Sequence, residues 1–318
     1  NDVFTYASLP IENGRSDVRF PIDSDRLRDL FSEQSRTSHS FESPGSFSAL
    51  NLRALVAEDV PLNQRIAEEN LRNIGVDATI VSNGLDAVTA FENGAFDIVF
   101  MDCHMPQLDG YAAARKIRAL EAGRRSRRTP IVALTAGKGS GDEQECDKAG
   151  MDAILLKPFT LVELRDAIAL HLLNLTPGHT SVSVGDTIPS KNSTGPETGP
   201  SLDHEVLQNF RELAPDNTAA LVTKLAQGFE EQMTKKIADL FETPHEKNID
   251  QTRLCLHAMK SMSMNMGAVK LTILFADLED KARAGKITLT SDNRVTAQAL
   301  LNEYLHALTE SINSLDVA

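Results

Sequence analysis

The sequence has no tryptophan, three tyrosines and three cysteines among 318 residues. Cys103, Cys146 and Cys255 are too few and too scattered for a disulfide framework, which points to a reducing, cytoplasmic setting. No apolar run approaches the ~20 residues needed to cross a bilayer, so no membrane contact is expected in this fragment. A clustered basic stripe is also missing. The net charge of −13 is spread along the chain, which argues against a nucleic-acid surface. Arg124, Arg125, Arg127 and Arg128 form one short basic run, read as a solvated loop. His39, His171, His179, His204, His245 and His306 lack metal-ligand spacing. Neither an initiator methionine nor a secretory signal opens the chain, so Asn1 is expected to lie within a longer protein.

What is present falls into two unlike halves. Residues 1–11 read as a single strand ending at Pro10. Residues 12–49 are polar and aperiodic, a linker with a short helix at 24–32. From residue 50 to 173 strands alternate with helices. The strands are expected at 52–57, 77–81, 97–102, 130–135 and 153–156, the helices at 61–74, 84–93, 109–121, 140–149 and 160–173. That alternation predicts an α/β unit, a flavodoxin-like, doubly wound, five-stranded parallel sheet. Residues 174–201 are Ser, Thr, Gly and Pro, a flexible linker with an rms span of roughly 30 Å. Beyond 202 only helical periods survive, at 203–213, 217–242, 248–266, 268–284 and 292–314. Residues 202–318 are therefore expected to form an all-α, antiparallel helical bundle.

The chemistry of the first half gathers at strand ends. The apolar run before Asp102 stops abruptly on that carboxylate, at the sheet edge where open α/β folds bind ligands. Glu58 and Asp59 end the first strand, Thr135 the fourth, and Lys157-Pro158 the fifth. Three crowded carboxylates call for a hard cation such as Mg²⁺. A hydroxyl and an ammonium beside them suit a tetrahedral oxyanion, and thus phosphoryl transfer to an aspartate.

Glu58-Asp59, Asn63, Met101-Asp102, Met105-Pro106, Asp109-Gly110, Thr135-Ala136 and Lys157-Pro158-Phe159 together resemble the receiver domain of two-component response regulators. The resemblance implies that Asp102 is the phosphoacceptor and that Glu58, Asp59, Asp102 and the main-chain carbonyl of His104 hold Mg²⁺. Thr135 and Lys157 would contact the phosphoryl oxygens, and the peptide before Pro158 would be cis. Two residues depart from the family pattern. Ile154 stands where an aromatic is usual, and Val60 replaces an asparagine common in hybrid-kinase receivers.

The second half carries His257, Lys260, Ser261, Gly267 and Ala268. On a helix Lys260, Ser261 and Met264 lie within about 60° of His257, while Met259, Met262 and Met266 face a core. An outward imidazole is a good nucleophile near neutral pH, and Lys260 can offset the charge of a phosphoryl group. These residues resemble the histidine phosphotransfer (HPt) domain, with Leu278-Glu279 and Ala282-Arg283-Ala284-Gly285 similar to its next helix. Ser261 replaces a glycine of the family pattern, which predicts slower or more selective transfer.

The order receiver, linker, HPt resembles the C-terminal part of a hybrid sensor histidine kinase. Residues 1–11 resemble the last strand of that family's ATP-binding domain, the catalytic core itself being absent. The resemblance implies a His–Asp phosphorelay: an upstream kinase core, in the same polypeptide, loads Asp102, Asp102 loads His257, and His257 loads a downstream response regulator. The alternative is a binding module, in which the receiver regulates kinase output and the bundle is a degenerate adaptor.

Overall fold

The computed structural model describes residues 47–124, 128–136, 140–172, 200–242 and 249–315. The strand expected at 1–11, the helix at 24–32, and most of both linkers and of the basic run lie outside the described residues.

Strands β1 (Arg53–Ala57), β2 (Asp77–Val81), β3 (Ile98–Asp102), β4 (Ile131–Thr135) and β5 (Ala153–Leu156) form one sheet, all pairs parallel, in the order β2-β1-β3-β4-β5. The central strands β3 and β4 are buried at every position. Their β-branched and large apolar residues suit a sheet covered on both faces. The interleaved helices are α1 (Pro61–Asn73), α2 (Gly84–Asn93), α3 (Gly110–Arg124), α4 (Ser140–Ala149) and α5 (Leu161–Leu172). Pro61 opens α1, where a missing N–H costs nothing. The Asn83 side chain caps α2 by accepting from the Asp86 N–H at 2.8 Å.

Alternation along the strands sends Ala54, Val56, Phe100 and Val132 to a core shared with Ala67 and Leu71 of α1 and Ile168 of α5. Leu55, Ala57, Met101 and Ala133 face the opposite way, onto Ala113 and Ile117 of α3 and Cys146 of α4. Cys103 joins this second face, as the pleat predicts. Phe47, inside the expected 12–49 linker, is fully buried in the first core, its N–H on the Ile74 carbonyl. The packed unit therefore begins before residue 50.

The C-terminal region is helical: α6 (His204–Leu213), α7 (Thr218–Glu242), α8 (Ile249–Asn265), α9 (Val269–Arg283) and α10 (Ser291–Leu315). Met259, Met262 and Met266 are fully buried, as expected, with Phe229, Phe275 and Tyr304. Tyr304 donates to the Met266 carbonyl at 2.6 Å and sets its ring edge-on to Phe229. Gly267 turns the chain from α8 into α9 with φ +71°, a region that favours glycine. Among the described residues, no helix is long and apolar enough to cross a membrane.

The two regions pack on each other. Val60, Leu62 and Ile66, at the start of α1, belong to the apolar core of the helical region rather than to that of the sheet. Helix α1 thus serves two cores, Ala67 and Leu71 inward and Leu62 and Ile66 outward.

Candidate functional site

The carboxyl ends of β1, β3, β4 and β5 bring the expected residues together. Glu58, Asp59 and Asp102 offer carboxylate oxygens that all lie within 4.8 Å of one another. Thr135 is buried at the end of β4, one residue past Leu134, the register partner of Asp102. Lys157 reaches in from the end of β5, its ammonium 2.5 Å from Glu58 Oε2 and 2.7 Å from Asp102 Oδ2. The Lys157–Pro158 peptide is cis, as expected. The loop after β3 folds tightly back: the Gly110 N–H donates to the Cys103 carbonyl, and a Cβ at Gly110 would sit 2.1 Å from the Asp102 carbonyl oxygen. Only glycine fits there.

The charges are unequal. Burial, with the repulsion of neighbouring acids, pushes the Glu58 carboxyl up to about 8. Burial and the nearby Asp102 push Asp59 up to about 6. Burial acts on Asp102 as well, but the Lys157 ammonium, with help from His257 and the His104 N–H, holds it below the ordinary value. Asp102 is therefore the acid held most firmly ionised, while Glu58 and Asp59 are the two whose charged forms a cation would favour. Three oxygen donors crowded against a single ammonium fit a hard divalent ion. Glu58 is the most committed of the three: Oε2 accepts from Lys157, and Oε1 from Asn63 and from the Val60 N–H. Asp59 and Asp102 are thus the better placed to ligate directly, with Glu58 positioning Lys157.

His257 lies on the face of α8 that meets the sheet domain. It is 7% exposed, and one part of its cover is His104, whose ring stacks on it with centroids 4.7 Å and planes 18° apart. The outward face expected for the histidine therefore lies against the sheet domain. The His104 N–H donates to Asp102 Oδ1 at 3.1 Å, so His104 touches both the carboxylate and the imidazole. His257 Nδ1 lies 3.0 Å from Glu279 Oε1. Burial opposes ionisation of Glu279, but its contacts with His257 and Lys260 hold its pKa down to about 2. An ionised carboxylate only accepts, so Nδ1 carries a proton, and the neutral form of this imidazole has its lone pair on Nε2. Lys260 lies beside the same acid, donating to Glu279 Oε2 at 2.5 Å.

Two contributors were not assigned these contacts from sequence: Glu279 and the side chain of His104. A buried acid among the apolar positions Phe275, Leu278 and Ala282 was the available signal for the first.

The family model for the response regulator receiver domain matches residues 54–169. Hybrid signal transduction histidine kinase A of Dictyostelium discoideum is 39% identical over 122 residues, covering 38% of this chain and 6% of that protein. Sensor protein GacS of Pseudomonas syringae is 32% identical over 180 residues, covering 54% of this chain and 19% of that protein. The chain therefore spans only a small part of the curated relatives it matches. The receiver domain of sensor histidine kinase PA1611 from Pseudomonas aeruginosa, solved with a magnesium ion coordinated in its active site cleft, is 43% identical; the match covers 38% of this chain and 98% of that one, with a TM-score of 0.36. Residues 54–169 are a response regulator receiver domain, carried by a chain akin to the hybrid histidine kinases of two-component signalling.

Proposed function

We propose that the chain is a cytoplasmic His–Asp phosphorelay intermediate, with residues 202–318 acting as an HPt domain of antiparallel helices. A kinase histidine from an upstream core loads Asp102, Asp102 loads His257, and His257 loads a downstream response regulator. The observation that carries this reading is the placement of His257, stacked on the residue whose N–H holds Asp102. A second acid, Glu279, supports it by orienting the imidazole.

In the central step Asp102 holds the phosphoryl group as an acyl phosphate, with Thr135 and Lys157 on its oxygens. The His257 Nε2 lone pair attacks phosphorus, so that the N–P bond forms as the O–P bond to Asp102 breaks. The departing carboxylate returns to Lys157. Positive charge developing on the imidazole is met by Glu279 through the Nδ1 proton, and Lys260 faces the charge of the arriving phosphoryl group. Asp59 and Asp102, with Glu58 and the His104 carbonyl beside them, would hold a Mg²⁺ ion, whose chemistry there would be to neutralise charge at the phosphoryl oxygens.

Labelling with a small acyl phosphate and Mg²⁺ tests the assignment. Base-labile label is expected on Asp102 first, followed by acid-labile label on His257. Label that stays base-labile in a chain retaining His257 would support the binding-module alternative.

A further inference from the structure

The contact between the two regions has an apolar part and a polar part, and they do different things. Val60, Leu62 and Ile66 contribute burial of apolar surface. That energy holds the surfaces together but tolerates sliding, since apolar contact is non-directional. The polar part is directional. Asn63 Nδ2 donates to Ser261 Oγ at 2.9 Å, and Asn265 Nδ2 donates to Asn63 Oδ1 at 2.8 Å. Asn63 Nδ2 also donates to Glu58 Oε1 at 3.0 Å, which ties the group to the phosphoacceptor site. Asn63 is 3% exposed, Ser261 1% and Asn265 9%. All three sit on helices, one on α1 and two on α8 a single turn apart, on the helix that carries His257.

We infer that Asn63, Ser261 and Asn265 set which receivers this helical region docks, admitting those with a side-chain amide at the position of Asn63 on the opposing helix. The inference deepens the phosphorelay reading and rests on it. A glycine at 261 would offer Asn63 no acceptor. An aliphatic residue at 63 would leave the Ser261 hydroxyl and the Asn265 amide buried without this partner, and each would then bear the cost of its own desolvation. Discrimination then comes from penalising the wrong partner as much as from rewarding the right one. Ser261 is thus a selector rather than a mere obstacle to the histidine.

The test is a cycle in the full chain with two readouts: hydrogen-exchange protection of the α1 amides, which reports docking, and single-turnover transfer from Asp102 to His257. Ser261→Gly should lower protection roughly 3- to 10-fold, the scale of one buried hydrogen bond. In the Asn63→Leu chain, already less protected, the same Ser261→Gly change should leave protection level or raise it, because it removes an orphaned hydroxyl. Comparing one substitution in two backgrounds cancels the cost of a helical glycine. Equal loss in both backgrounds, or no loss in either, overturns the inference while transfer still reports on the relay. A background-dependent loss without transfer in the unsubstituted chain keeps the contact and removes the relay.

Discussion

His104 and His257, 153 positions apart in sequence, lie ring on ring with their planes 18° from parallel. The same His104 holds Asp102 through its backbone N–H, so one residue touches both Asp102 and His257. His104→Ala removes the ring and keeps the N–H. Aromatic pairs are worth about 0.5–1.5 kcal/mol beyond burial, so transfer to His257, normalised to the amount of phospho-Asp102, should slow roughly 2- to 12-fold. Rapid-quench kinetics measures this; an unchanged rate would make the stack incidental.

Glu279→Gln tests the orientation of the imidazole. Losing a charge-assisted hydrogen bond, about 1.5–3 kcal/mol, should slow transfer at least tenfold. The folded-state value of Glu279 is lowered from 4.5 to about 2, so its stabilising contribution is complete above pH 4.5 and is lost as pH falls toward 2. The stability difference between the native chain and Glu279→Gln should therefore narrow across that window. Thermal midpoints of both chains, measured from pH 5 downward, check the sign.

Lys157→Met strips the ammonium from between Glu58 and Asp102. Breaking a buried ion pair from one side costs about 3–5 kcal/mol, and urea unfolding in chelating buffer should register a loss of that order. Added Mg²⁺ should restore more stability to this variant than to the native chain, since a cation then replaces the lost one.

Metal removal should be visible without any phosphodonor. Mg²⁺ binding to the folded state alone raises the unfolding midpoint by mass action, and chelation should reverse it. Asp59→Asn should remove most of that response. A shift of native size in this variant would place the ion elsewhere.

The sheet was legible because its strands are short, mostly apolar and separated by helical periods; each of the five strands begins within one residue of its expected position. The residues at their carboxyl ends then converged as topology requires, Lys157 onto Asp102 most directly. Docking of the two regions was not legible. Helix α1 has apolar residues on two faces, and a helical period does not say that Leu62 and Ile66 leave the sheet core for another. For the same reason His257 was expected outward, when part of its cover is His104, a residue of the other half. Glu279 was hidden by its apolar neighbours, and Phe47 by the polar stretch around it.

The central claim is that one phosphoryl group moves from Asp102 to His257 within this chain. Phosphorus NMR of the chain loaded once by a small acyl phosphate, freed of excess donor, follows it directly. The acyl phosphate signal should decay as a phosphoramidate signal grows by the same amount, and His257→Gln should abolish the second signal while keeping the first. Decay of the first signal to inorganic phosphate alone, with His257 intact, would contradict the account.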